Sequence, residues 1–194
     1  VTEACVLTSS NHPVSLFSQI HSSHEKDYKS ANTITFKAIE RGAALFGNAT
    51  FAMDRGYDDN KMFLKLDGLN QHYVIRLKSN RKLFYHRKWR TATELCNRRK
   101  GKVKTSVFYK GKNQEAYLSH VKVQITASKN DIYLVLIYGI TEHPMMLATN
   151  LLLLPISKRH LGHTFLCQRG RQALVPDKAS GIPSTLPSAG RLNR

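Results

Sequence analysis

Thr50-Phe51-Ala52-Met53-Asp54-Arg55-Gly56-Tyr57-Asp58 is the stretch that decides the fold. A short, mainly apolar run ends on a carboxylate, and a glycine two positions later supplies a turn. A strand fixes where its exit residue stands, and the turn leaves that side chain open to substrate. Asp54 therefore stands where metal-dependent phosphoryl chemistry needs an acid. The same string is also an ordinary way to leave a sheet, with the aspartate bonding its own turn backbone. Both readings remain open on these residues alone.

Upstream, apolar residues recur at helical spacing through Ala31, Ile34, Ala38 and Leu45, with Ser30 as N-cap and Gly47 as the stop. Before that helix, residues 4–8 and 14–20 read as strands joined by a turn at Asn11-His12-Pro13. Downstream, Asp58 or Asp59 caps a second short helix whose inner face holds Met62, Phe63, Leu66 and Leu69. After residue 70 the period becomes two. Tyr73, Ile75 and Leu77 alternate with Val74, Arg76 and Lys78, which predicts a strand with a basic outer side. Val121, Val123 and Ile125 alternate in the same way with His120, Lys122 and Gln124. A turn at Ser128-Lys129-Asn130 leads to residues 132–138, apolar on both faces and so central in a sheet.

The net charge of +17 is unevenly placed. Residues 1–60 hold five Lys and Arg against seven Asp and Glu, whereas residues 61–130 hold eighteen against three. One contiguous region thus carries the attraction for polyanions, and nucleic acid is the expected partner. Arg76, Lys78, Arg81, Lys82, Arg87, Lys88 and Arg90 are the candidate DNA contacts, with Phe84, Tyr85 and Trp89 among them as stacking surfaces. The alternative keeps the aromatics in the core and the charges merely solvated. Arg98, Arg99, Lys100, Lys102 and Lys104 form a second cluster around Gly101, expected to be a loop. A membrane-surface role would want the cations on one face of an amphipathic helix, and they lie instead on strand-like and loop segments.

The longest apolar run, residues 132–140, is strand-length and contains Tyr133, Tyr138 and Gly139, so no membrane partner is expected. Cys5, Cys96 and Cys167 form no CxxC pair, which predicts a cytoplasmic protein without a disulfide framework. His160, His163 and Cys167 supply three soft ligands without a CxxC partner, and His21 and His24 read as solvated loop residues.

The run Phe51 to Asp58, with its DRGY block, and the following Tyr73-Val74-Ile75-Arg76-Leu77-Lys78 resemble insertion-sequence DDE transposases. Two further pieces resemble the same family in the right order: residues 13–32, and Met146-Leu147-Ala148-Thr149-Asn150-Leu151, similar to its TNL strand. The resemblance covers about residues 1–156 and implies an α/β fold: a partial RNase H-like core with a basic β-rich insertion and a disordered C-terminal tail. The implied divisions are 1–69 for the core, 70–143 for the insertion, 144–156 for a returning core strand and 157–194 for the tail.

The family's activity is DNA strand cleavage and strand transfer at a magnesium (Mg2+) site of three acids. Asp54 matches the second acid, while Arg55 and Tyr57 border the site and are expected to position the phosphodiester. The first acid is expected upstream of Val1. The third belongs to a YxxRWxIE helix, and residues 158–194 contain no glutamate and a single aspartate, Asp177. Pro176, Pro183, Pro187, Gly181 and Gly190 in that tail predict disorder, and the missing acids lead to the expectation of a truncated or frame-shifted fragment; a first residue other than methionine fits a fragment, a processed product or an alternative start alike. Such a fragment retains DNA binding but not catalysis alone, with a second transposase subunit as a possible partner. Two rivals stand beside it: a stand-alone basic nucleic-acid-binding module in which Asp54 is only a turn residue, and a nuclease completed by acids such as Glu3, Glu25, Asp27 or Glu40.

Overall fold

The computed structural model describes residues 1–7, 12–126 and 130–151, and the backbone of residues 172–176. Asn11, Ser128, Lys129, His160, His163, Cys167 and Asp177 lie outside the described residues, as does most of the tail. In chain order the elements are β1 (Thr2–Leu7), β2 (Pro13–Gln19), α1 (Ala31–Phe46), β3 (Ala49–Met53), a 3₁₀ turn (Arg55–Tyr57), α2 (Asn60–Gly68) and β4 (His72–Arg76). There follow β5 (Lys82–Tyr85), β6 (Lys88–Thr91), α3 (Ala92–Asn97), β7 (Val103–Tyr109), β8 (Lys112–Ile125), β9 (Ile132–Tyr138), β10 (Met145–Thr149) and β11 (Gln172–Pro176). The strands join in the order β2-β1-β11-β3-β4-β10-β9-β8-β5-β6, with β7 paired to β8 outside that path. This is the expected mixed α/β class, consistent with a partial RNase H-like core.

Helix boundaries follow from their end groups. Ser30 caps α1 by accepting the Thr33 N–H, and Gly47, at φ 64°, ends it in a conformation that costs a residue without Cβ little. Asp59 caps α2 through the Lys61 N–H at 2.7 Å. Asp58 does not cap; its carboxylate is buried and otherwise employed. A reciprocal box between Thr91 and Glu94 starts α3.

Strands β3 and β4 run parallel, with α2 as the crossover between them. One face of the sheet carries Phe51, Met53, Tyr73, Ile75 and Leu134, which pack with Ile39 of α1 and with Met62, Phe63 and Leu66 of α2. The other face gathers Val74, Val135, Ile137 and Leu147 with Val107, Ala116 and Leu118 from the β7–β8 ribbon. Burial of Val74 corrects the expectation of a basic outer side along the whole of β4. The strand is covered on both faces, and the basic residues emerge only at its end, from Arg76 onward. Burial also pushes the Tyr73 hydroxyl well above the usual phenol range, with the neighbouring Asp67 carboxylate adding to it.

Asn150, just after β10, accepts the Tyr73 N–H at 3.0 Å and donates to the Gln71 carbonyl at 2.9 Å. Gln71 in turn accepts the Ala49 N–H at 2.9 Å. The asparagine of the TNL segment therefore ties the end of β10 to the start of β4, and Gln71 ties that start to β3. Between β1 and β3, whose facing backbone groups both need partners, β11 pairs parallel with the first and antiparallel with the second.

Gly101 lies against β8 so closely that a Cβ there would stand 2.3 Å from the Tyr117 Cβ and 2.8 Å from its carbonyl carbon. Backbone cannot swing aside as a side chain can. Gly101→Ala is expected to cost about 1–3 kcal/mol through forced displacement, read as a lower urea midpoint with an unchanged m-value. A midpoint equal to the parent's would mean that this approach is not tight.

Candidate functional site

Because β3 and β4 are parallel, both strands exit at the same edge of the sheet. Their register pairs Met53 with Ile75, so the next residue of each, Asp54 and Arg76, meet side by side. The Arg76 Nη1 lies 3.8 Å from the Asp54 Oδ1, and 59% of the Asp54 side chain is exposed. A pair this open contributes at most about 1 kcal/mol, so it can part for a ligand. The Asp54 carbonyl accepts the Tyr57 N–H at 3.0 Å, but its carboxylate caps nothing in the turn. The side chain is thus not consumed by its own backbone, as the turn-residue reading requires. Beside it, Arg55 is exposed, while Tyr57 is half-buried and packs against the main core.

Asp58 is the carboxylate that the turn encloses. Its Oδ2 accepts the Lys78 N–H at 2.7 Å, and its Oδ1 accepts the Arg81 Nε–H at 2.7 Å, with the Arg81 Nη2 at 2.5 Å. The Asp58 carbonyl takes a bond from the Lys78 ammonium at 3.2 Å. Arg81 also donates through Nη1 to Asn60 at 2.7 Å, and its guanidinium lies 5.6 Å from the centre of the Phe63 ring. All three guanidinium nitrogens are therefore engaged by the fold itself. Of the seven basic candidates, Arg81 is the one the fold engages most; its side chain is only 12% exposed. A crevice of about 310 Å³ opens here, lined by Asp58, Lys78, Asn80, Arg81, Lys82 and Thr126.

Lys78, Lys82, Arg87 and Lys88 are exposed, and Arg76 and Arg90 are half-buried. Lys82, Arg87, Lys88 and Arg90 lie on or beside the β5–β6 hairpin, whose two-residue turn places His86 at φ 48° and Arg87 at φ 62°. Both values belong to the left-handed region, which neither residue prefers, and the turn lifts Arg87 clear of the sheet. Pairing of Phe84 with Trp89 sets their rings 5.2 Å apart on the hairpin's open face, with Trp89 52% exposed. Tyr85 and Leu83 point the other way, into or against the core. Trp89 is thus on the surface, as the stacking reading needs, whereas Phe84 and Tyr85 are half-buried.

Of the second cluster, Arg99 donates to the His120 carbonyl at 3.1 Å and Lys104, in β7, pairs with Glu115. Of the other carboxylates, Glu25 accepts the Ser22 N–H at 3.0 Å, and Glu40 pairs with Lys65. Among the described residues, no three His, Cys, Asp or Glu side chains form a group that could hold a metal ion. Asp54 faces a guanidinium rather than a second acid, so the described side chains do not fit a two-ion centre by themselves. Nothing in the sequence distinguished Asp58 from Asp59, and Asn60 and Thr126, which share a 3.0 Å bond, carried no signal at all.

A family model described as transposase DDE domain matches residues 3–174. That span continues past residue 156, where the motif resemblance stops, and takes in part of β11. No curated protein matches the chain. No described helix is long and apolar enough to cross a membrane.

Proposed function

Since the chain belongs to the DDE transposase family, whose members act on DNA with a divalent metal, we propose that its basic face binds DNA across the edge where β3 and β4 end. The observation that carries this reading is the register that sets the exposed Asp54 beside Arg76, with the exposed Lys78 and Lys82 close behind in the chain. A DNA strand tracking these cations brings its phosphates to the acid. Arg55 and Arg76 then hold the phosphodiester, Lys78, Lys82, Arg87 and Lys88 hold the flanking backbone, and Trp89 offers a ring to an unpaired base. Asp54 contributes one carboxylate ligand to magnesium, too few to bind an ion pair, so the described residues support DNA binding without strand cleavage.

The binding-only reading has its own supporting observation, the guanidinium opposite Asp54. Titrating magnesium into the parent and into Asp54→Ala separates the two. A lone ligand position predicts weak binding by the parent that the variant loses; a module without a metal role predicts identical curves. DNA binding itself is tested by measuring affinity for an oligonucleotide duplex across salt concentrations. Five phosphate contacts, one shared by Arg55 and Arg76 and one each for Lys78, Lys82, Arg87 and Lys88, predict a log–log slope of about −4.5, at about −0.9 per contact. A slope near zero would refute the proposal.

A further inference from the structure

We propose that Asp58 is a positioning residue for nucleic-acid phosphate, acting through Lys78; the inference rests on the DNA-binding reading above. Asp58 is 2% exposed, yet it sits at the end of the Asp54 turn and reaches across to the segment leaving β4. It grips Lys78 at both ends, taking the backbone N–H on the carboxylate and the ammonium on its own carbonyl. Two donors of that ammonium remain for an anion, and the residue itself is exposed. Arg81 closes the clamp: its fork holds Asp58 on one side and Asn60 on the other, and Asn60 also accepts from Thr126 at the end of β8.

The exits of β3 and β4 are therefore tied at one buried carboxylate, and the end of β8 joins them through Asn60 and Arg81. A long lysine side chain ordinarily loses much rotamer entropy when it engages a phosphate. Here that loss is already made in the free protein, because Lys78 is anchored before the anion arrives.

A double-mutant cycle in DNA affinity tests the inference. Lys78→Ala in the parent is expected to make the salt slope shallower by about 0.9, the loss of one phosphate contact. In an Asp58→Asn background, where an amide N–H must face either Lys78 or Arg81, the same lysine substitution is expected to change the slope little. Simple electrostatics predicts otherwise, since removing a negative charge leaves every lysine contact in place or strengthens it. Arg81→Lys, which keeps the charge but loses the fork, gives a second background with the clamp opened, in case Asp58→Asn unfolds. Equal cost of Lys78→Ala in the parent and in a folded clamp variant would overturn the positioning role while leaving DNA binding intact. Absence of salt-dependent binding by the parent would overturn both.

Discussion

Phe63→Ala is expected to lower the free energy of unfolding by about 3–5 kcal/mol, the range for deleting a buried aromatic ring and leaving its cavity. Phe63 is fully buried on α2, edge-on to Tyr73 with ring centroids 5.4 Å apart at 74°. It couples the helix to the central strand β4, and its other side lies beneath the Arg81 guanidinium. Domains of this size have about 5–15 kcal/mol in total, so the loss is a large fraction of stability. Leu64→Ala, one residue along the same helix and 53% exposed, should change it by no more than about 0.5 kcal/mol. Urea unfolding of both variants checks the pair. A Phe63→Ala cost below about 1 kcal/mol would mean that α2 is not packed on the sheet as described. Because the ring supports Arg81, folded Phe63→Ala should also lose protection from hydrogen exchange at the Lys78 N–H, which the Asp58 carboxylate accepts.

Where side-chain periodicity and end groups agree, the sequence is legible. Ser30, Gly47 and the apolar stripe of α1 give that helix nearly to the residue. The run before Asp54 is a strand because it is buried on both faces, and its parallel pairing with β4 is what a helix crossover dictates. The β5–β6 hairpin was illegible for a local reason: its turn residues are His86 and Arg87, where a type I′ turn ordinarily carries Asn-Gly, so no turn signal separates two short basic strands. Short α3 hid in the same way, its Thr91–Glu94 capping box lying inside a run of charge. Long β8 showed only its second half, since it opens on the polar run Lys112-Asn113-Gln114-Glu115, which pairs with β7 without forming an apolar stripe.

The site was legible in position and not in partnership. Asp54 is placed by its strand, so the motif located it. Asp58 and Asp59 differ only in which way the turn points them, and that is set by Lys78 and Arg81, some twenty residues on. Long-range contacts of this kind leave no local trace. Among the cations, Arg81 could not be told from Lys82 by composition, because the difference is burial.

That difference separates two classes of variant. Replacing Lys82, Arg87 and Lys88 with alanine removes three exposed charges that the fold does not use. Stability should stay within about 0.5 kcal/mol for each, as for surface positions generally. DNA affinity should fall on the order of a hundredfold near 0.1 M salt, and the log–log slope should become shallower by about 2.7, three contacts at about 0.9 each. The loss should be the same for unrelated duplex sequences, since phosphate contacts carry no sequence information. Arg81→Ala should behave in the opposite way. It breaks a buried ion pair and leaves the Asp58 carboxylate with one partner fewer, which costs about 3–5 kcal/mol of stability. If the triple variant instead unfolds while keeping its salt slope, these side chains serve the hairpin and not DNA. The two classes are then exchanged, and the basic face must be sought elsewhere on the sheet.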